Sequence, residues 1–326
     1  PAGQYPSEQA HATLEVALNL AADQQSEASD TTGHSLYTYA LSVLAKFFIT
    51  IESLTFAARA LNALALILAT IFCASAAGHY WQRNRAVWIA GLLIGLNPVL
   101  IFWAGEVSPS LLATACMSMA LYKVLPWLRR PKGRDSLWIA ICLVMAAAFE
   151  TCLMPLVVLW PALAGLYPDR KPISHLFLAS IPVTLTCGLI LVSKLQLENP
   201  YALNFSQIYS GLYSTLGNQE SYDGKSFGFY RKLHFLLLLN PIHWGALFML
   251  AGAGFYVRVK DGHRGHSVLL AVCILTIFAI SSALNEGGSQ ARATLIPLLA
   301  IFASGVTLLP KIWGHAGTRT RRKITI

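Results

Sequence analysis

Charge is what this sequence has least of. Asp, Glu, Lys and Arg make up 12% of its 326 residues, about half the roughly 25% of an ordinary soluble domain. With 55% hydrophobic residues, such a chain does not read as a water-soluble globule. The six cysteines, Cys73, Cys116, Cys142, Cys152, Cys187 and Cys273, include no CxxC pair and all fall in apolar stretches. They read as small buried hydrophobes and not as disulfide or metal partners. A Walker loop, a GxGxxG fingerprint, a GxSxG elbow and an HExxH helix are also missing, and with them the soluble-enzyme chemistry they carry. The chain opens with neither methionine nor the charged and apolar regions of a signal peptide. Its first 37 residues hold five carboxylates and no Lys or Arg.

What the sequence has in quantity is long apolar runs. Nine of them approach the roughly 17–25 residues that cross a bilayer, near 59–80, 86–104, 109–127, 136–150, 151–167, 174–194, 233–257, 267–285 and 291–310. The expectation is an all-α polytopic membrane protein with about nine transmembrane helices. Alternating the spans puts 17 of the 24 Lys and Arg residues on one side, and 12 of the 15 acids on the other. The basic side is the cytoplasmic one. The basic tail 311–326 is therefore expected inside, and 1–58 and 195–232 outside. The formal charge of +9 is a sign of sidedness, and no nucleic-acid partner is expected. An odd number of spans behind an external N-terminus predicts a further span before Pro1. Trp81, Trp103, Trp127, Trp138 and Trp313 fall near span ends, where an aromatic belt would lie.

The external regions carry the polar chemistry. In 1–58, Ala10, Leu14, Val16, Ala17 and Leu20 recur at about helical spacing, and the apolar 35–51 suits a helix lying in the interface. The 195–232 loop holds five tyrosines among amides, which suit sugar stacking and an ordinary interfacial loop alike. Glu52, Arg59, Glu106, Glu150 and Arg292 sit at external span ends, where an ionisable group is a functional candidate by default. Arg59 also reads as a snorkelling anchor, Glu106 as an acid at a helix N-terminus, and Glu150 as a hairpin hydrogen-bonder. His263 and His266, in "KDGHRGH", have metal-compatible spacing but lie among bases and read as a solvated pair.

Five stretches carry a family resemblance. "GQYPSEQA" (3–10) is similar to a DE-x-x-Y-x-x-x-A motif, and "TGHSLYTYALSVLAKFF" (32–48) to HPPLYYLLL…K-x-FG. "ARALNALALILA" (58–69) is similar to R-L-x-N-A-L. "RAVWIAGLLIGLNPVLIFWAGEVSPSLLA" (85–113) is similar to a run ending N-P-x-x-I-x-x-S-x-E-x-R-x-Y. Near the end, "QARATLIPLLAIFASG" (290–305) is similar to RYLLPLLPLLALLAG. In this order they resemble the GT-C class of integral membrane glycosyltransferases, which includes the protein O-mannosyltransferases and the lipid A aminoarabinose transferases.

The resemblance implies inverting transfer of a sugar from a polyprenyl-phosphate donor at the external face of a bacterial inner membrane. A carboxylate would activate the acceptor, and cations would steady the departing lipid phosphate. On this chain the implied catalytic residues are Glu106 and Glu8, and the implied substrate-binding residues are Tyr5, His34, Lys46, Arg59 and Arg292. No cofactor and no metal site is implied; the partners are the polyprenyl-phosphate sugar and membrane lipids. Four positions depart from the pattern. Pro1 and Ala2 stand where the family has its acidic pair, Ser35 where it has Pro, and Ser108 where it usually has Arg. A second expectation therefore stays open, a non-catalytic GT-C-fold subunit of a larger membrane complex. A transporter would call for an internal repeat, and none is visible.

Overall fold

Thr50 sets where the bundle begins. Its side chain accepts from the Ser53 amide at 3.2 Å, while Ser53 Oγ accepts from the Thr50 amide at 3.3 Å. This reciprocal cap satisfies two donors that a helix start leaves open. The fold is that of a computed structural model, which describes residues 8–22, 36–48, 50–129, 132–150, 153, 247–260 and 292–308. All regular structure among these residues is helical: α1 (Glu8–Ala21), α2 (Leu36–Ala45), α3 (Ile51–Trp81), α4 (Asn84–Gly95), α5 (Pro98–Ala104), α6 (Ser110–Arg129), α7 (Gly133–Phe149), α8 (Leu247–Lys260) and α9 (Ile296–Ala303). Short 3₁₀ turns, Arg292–Leu295 and Ser304–Leu308, flank α9.

The cap at Thr50 starts α3 eight residues before the expected 59. Its 31 residues extend about 46 Å at about 1.5 Å each, well beyond a hydrocarbon core of roughly 30 Å. The helix ends where Gln82 takes a left-handed conformation (φ 54°) and returns its amide to the Gly78 carbonyl at 2.8 Å. Among the described residues α3 is the one helix long and apolar enough to cross a membrane. The expected span 86–104 is instead a bent pair, α4 and α5, with a 53° break. Pro98 opens α5 and disfavours helical geometry at the residue before it. Asn97 therefore leaves the helix and caps the new one, Oδ1 accepting from Val99 and Leu100 at 3.0 and 3.3 Å. Helices α6 and α7 lie where 109–127 and 136–150 were expected to span, and α9 with its two turns lies within 291–310. Only the end of 233–257 is seen, as α8. The spans 151–167, 174–194 and 267–285 lie outside the described residues.

Packing follows an inside-out rule. The buried stripe of α3 is small or polar: Ala58, Asn62, Ala65, Ala69, Cys73, Ala76 and Ala77. Its outward face carries Phe56, Leu64, Ile67, Leu68 and Ile71. Small residues let helix backbones approach where no hydrophobic drive exists between them, and large apolar groups suit a lipid surround. The stripe packs against α4 and α6, and α6 packs in turn on α7. A Lys123–Asp135 ion pair at 3.7 Å ties α6 to α7.

The last helix is threaded into this bundle. Cys73 Sγ donates to the Pro297 carbonyl at 3.3 Å, and Trp81 Nε1 to that of Ile301 at 2.6 Å. α9 thus runs alongside α3 in the same direction. Arg258 of α8 lays its guanidinium 4.7 Å from the Tyr80 ring centroid and 5.4 Å from that of Trp81, and donates to the Tyr80 carbonyl at 3.1 Å. Trp81 and Trp127 are therefore interior residues, buried in the helix contacts and not standing in an interfacial belt.

At the opposite end, α1 and α2 close over the start of α3. Leu14 and Ala17 of α1, Tyr37 and Leu41 of α2, and Leu54 and Ala58 of α3 form a second apolar cluster, completed by Val107, Leu112 and Phe149. The expected helical face of 10–20 is the buried one: Ala10, Leu14, Val16 and Ala17 all face inward. Alternation of the helices puts Arg83, Arg85, Lys132 and Arg134 at the Trp81 end and Glu52, Glu106 and Glu150 at the Ile51 end.

Candidate functional site

A wholly buried asparagine marks the site. Asn62 lies in the small-residue stripe of α3 and donates through Nδ2 to the backbone carbonyl of Glu106 at 2.6 Å. A carbonyl can only accept, so this bond fixes which way the amide faces. Asn62 Oδ1 is buried with no hydrogen-bond partner among the described residues. Beside it, the buried Tyr37 hydroxyl approaches the Asn62 side chain and the Ser108 backbone, short of hydrogen-bond geometry. Burial pushes the Tyr37 phenol above its ordinary range, against the opposing influence of those two neighbours, so it stands as a neutral hydroxyl.

Glu106 sits in the turn between α5 and α6. Gly105 and Glu106 donate to the carbonyls of Phe102 and Trp103 at 3.0 and 3.3 Å, which winds the chain tightly after α5. The residue is half-buried, and its carboxylate makes no ion pair or hydrogen bond among the described residues. The main chain is therefore anchored while the acid is left available. Two residues on, Ser108 Oγ and Ser110 Oγ are 2.9 Å apart, and Ser110 N–H donates to Ser108 Oγ at 3.3 Å. Ser110 also meets the buried Glu150 carboxylate just past the end of α7. A polar seam thus runs from α2 through α3 and the α5–α6 turn to the end of α7, inside otherwise apolar packing.

Arg59 completes the cationic side. It is half-buried on α3, one turn before Asn62 or about 4.5 Å along the axis, and its Nε is buried with no hydrogen-bond partner among the described residues. A guanidinium with an unpartnered buried N–H is ready to donate to a carboxylate or phosphate oxygen. Arg292 opens the 3₁₀ turn that leads into α9 and packs on α6. Since α9 runs parallel to α3, the Arg292 backbone lies at the Ile51-facing end of that helix. Lys46 is exposed in the turn after α2. Glu8 begins α1, which packs on α2 and α3. Tyr5, His34, His263 and His266 lie outside the described residues. Sequence reasoning did not single out Tyr37, Ser110 or Asn62. For Asn62 a signal existed, an amide in the middle of an alanine-rich apolar helix.

Solved structures share this architecture. ArnT from Cupriavidus metallidurans, bound to undecaprenyl phosphate, superposes with a TM-score of 0.65 at 16% identity over 96% of this chain and 58% of its own. The archaeal oligosaccharyltransferase AglB from Archaeoglobus fulgidus, in complex with an inhibitory peptide and a dolichol-phosphate, gives 0.61 at 14% identity, covering 97% of this chain and 48% of its own. The apo form of the Archaeoglobus fulgidus oligosaccharyltransferase gives 0.64 at 14% identity over the same shares. The chain thus has the GT-C-type fold of these membrane glycosyltransferases, and spans about half the length of the relatives it matches. No protein-family model and no curated protein sequence matches it.

Proposed function

We propose that this chain transfers a sugar from a polyprenyl-phosphate donor to an acceptor at the external face of the membrane. The observation that carries this reading is the Glu106 turn. A carboxylate with no partner among the described residues is presented there on a main chain pinned to Asn62 at 2.6 Å, and Asn62 is one helical turn from Arg59, whose Nε has no partner among those residues. A general base needs both freedom to take a proton and a fixed position.

In this scheme Glu106 removes a proton from the acceptor's nucleophilic atom as that atom bonds to the sugar's anomeric carbon. The bond between that carbon and the phosphate oxygen breaks on the opposite face, which inverts the configuration. Its electron pair leaves with the polyprenyl phosphate, and Arg59 and Arg292 bear the charge gained. Lys46 and Glu8 are assigned to the rim, as a further cation and a second carboxylate, with Tyr5 and His34 as substrate contacts on the same external region. The end of the bundle poor in Lys and Arg is the external one, by the positive-inside rule.

The test is a transfer assay on the purified protein in lipid nanodiscs, with radiolabelled polyprenyl-phosphate sugars and membrane acceptors. Transfer by the parent, lost in Glu106→Gln, supports the reading. No transfer from any donor by the parent overturns it, and leaves the non-catalytic subunit as the better account.

A further inference from the structure

The Glu106 carbonyl is held by a residue 44 positions earlier in the chain, and this contact carries more than packing. Asn62 is wholly buried, in the middle of a helix whose neighbouring inward residues are alanines. An amide there costs desolvation that an alanine would not incur, unless its hydrogen bonds are needed. Its bond to the Glu106 carbonyl is short, crosses from one helix to another segment, and ends on the residue whose carboxylate is left available.

The turn needs such an anchor. It lies between α5 and α6, after the 53° break that separates α4 from α5. The flanking helices hold residue 106 by little: α5 is only 7 residues long and takes one 3.3 Å bond from the Glu106 amide, and α6 begins four positions later. The backbone bonds of Gly105 and Glu106 run backwards into α5 alone. Asn62 is the side chain that ties Glu106 itself to the long, capped α3, which also carries Arg59. One helix thereby sets the spacing between the carboxylate and the guanidinium.

We propose that Asn62 is a positioning residue for Glu106, fixing the reach of its carboxylate relative to Arg59 through the main-chain carbonyl. The inference rests on the reading of Glu106 as the acid–base group, and the geometry it asserts is also measurable without any turnover. Asn62→Leu keeps the shape and removes the donor. Asn62→Asp keeps the shape and turns an acceptor toward the carbonyl.

The experiment uses the full chain in nanodiscs, with two readouts. The first is steady-state transfer with the polyprenyl-phosphate sugar that the parent accepts. Either variant lowers kcat on the order of a hundredfold, as misplacement of a reacting group does, with the donor KM within about twofold of the parent. The second is hydrogen–deuterium exchange. Amides of 102–110 exchange faster in the variants, while those of 64–80 in α3 keep the parental rate. A retained kcat, a KM that rises in proportion, or an exchange increase spread along α3 overturns the proposal. If the parent shows no transfer, the enzymatic reading fails, and the exchange readout alone decides whether Asn62 fixes the turn. If one variant does not fold, the other carries both measurements.

Discussion

Trp81 Nε1 donates to the Ile301 carbonyl at 2.6 Å, joining residues 220 positions apart. The bond closes the bundle where α3 ends, and its indole leaves no room opposite: a Cβ at Gly305 would collide with the ring. Gly305→Ala is therefore expected to destabilise the protein by about 1–3 kcal/mol, the usual result of overpacking a filled core. Thermal unfolding in detergent, followed by size-exclusion chromatography of heated samples, reads this out. Gly252→Ala is the control, because nothing approaches a Cβ there.

The inside-out packing of α3 reverses the familiar ranking of core substitutions. Ala69→Leu enlarges a wholly buried position on the small-residue stripe and is expected to cost about 1–3 kcal/mol. Ile67→Ala, two residues away on the exposed face, should change stability little, because lipid surrounds either side chain. In a soluble protein, truncation of a large buried aliphatic would be the severe change. Equal losses from the two substitutions would refute this reading of the two faces.

The Tyr37 hydroxyl gives a pH signature. Burial raises its phenol above the ordinary value of 10.0, so the folded state holds the proton where the unfolded chain releases it. Folding stability from this group is then complete below about pH 10 and falls as pH rises further. Tyr37→Phe removes the term without emptying the site. The variant should match the parent near neutral pH and lose less stability above pH 10, which denaturation midpoints across that range would show.

Glu52 offers a control for Glu106. Both are acids at the Ile51 end, but Glu52 is an exposed first-turn residue of α3, placed to favour the helix N-terminus. Glu52→Gln should leave transfer unchanged. Glu106→Gln should lower kcat by about 10²–10⁴, the range that general acid–base help supplies. Comparable losses in both variants would mean that charge at this end matters and a positioned base does not.

Much of this was legible in the residues. Scarce charge and repeated apolar runs required helices in a lipid surround, because buried backbone groups there must bond within their own segment. The separation of bases from acids along the chain matched two opposite ends of the described bundle. The ordered motifs, Arg59 and Glu106 among them, pointed to the GT-C fold. Those features depend on composition and local spacing, which a chain carries whatever its partners.

Other features were settled by contacts between distant segments. Whether Trp81 stands at an interface or in a core depends on α8 and α9, whose Arg258 and Ile301 surround it, and no local pattern encodes that. The start of α3 at Ile51 depended on a cap between Thr50 and Ser53 that apolarity cannot register. The role of Asn62 exists only because folding brings the carbonyl of Glu106 to 2.6 Å from its amide. The sequence by itself determined that helices would form and where charge would gather. Only the tertiary structure decided which polar groups meet inside, because burial and hydrogen-bond pairing are properties of the packed bundle and not of any one helix.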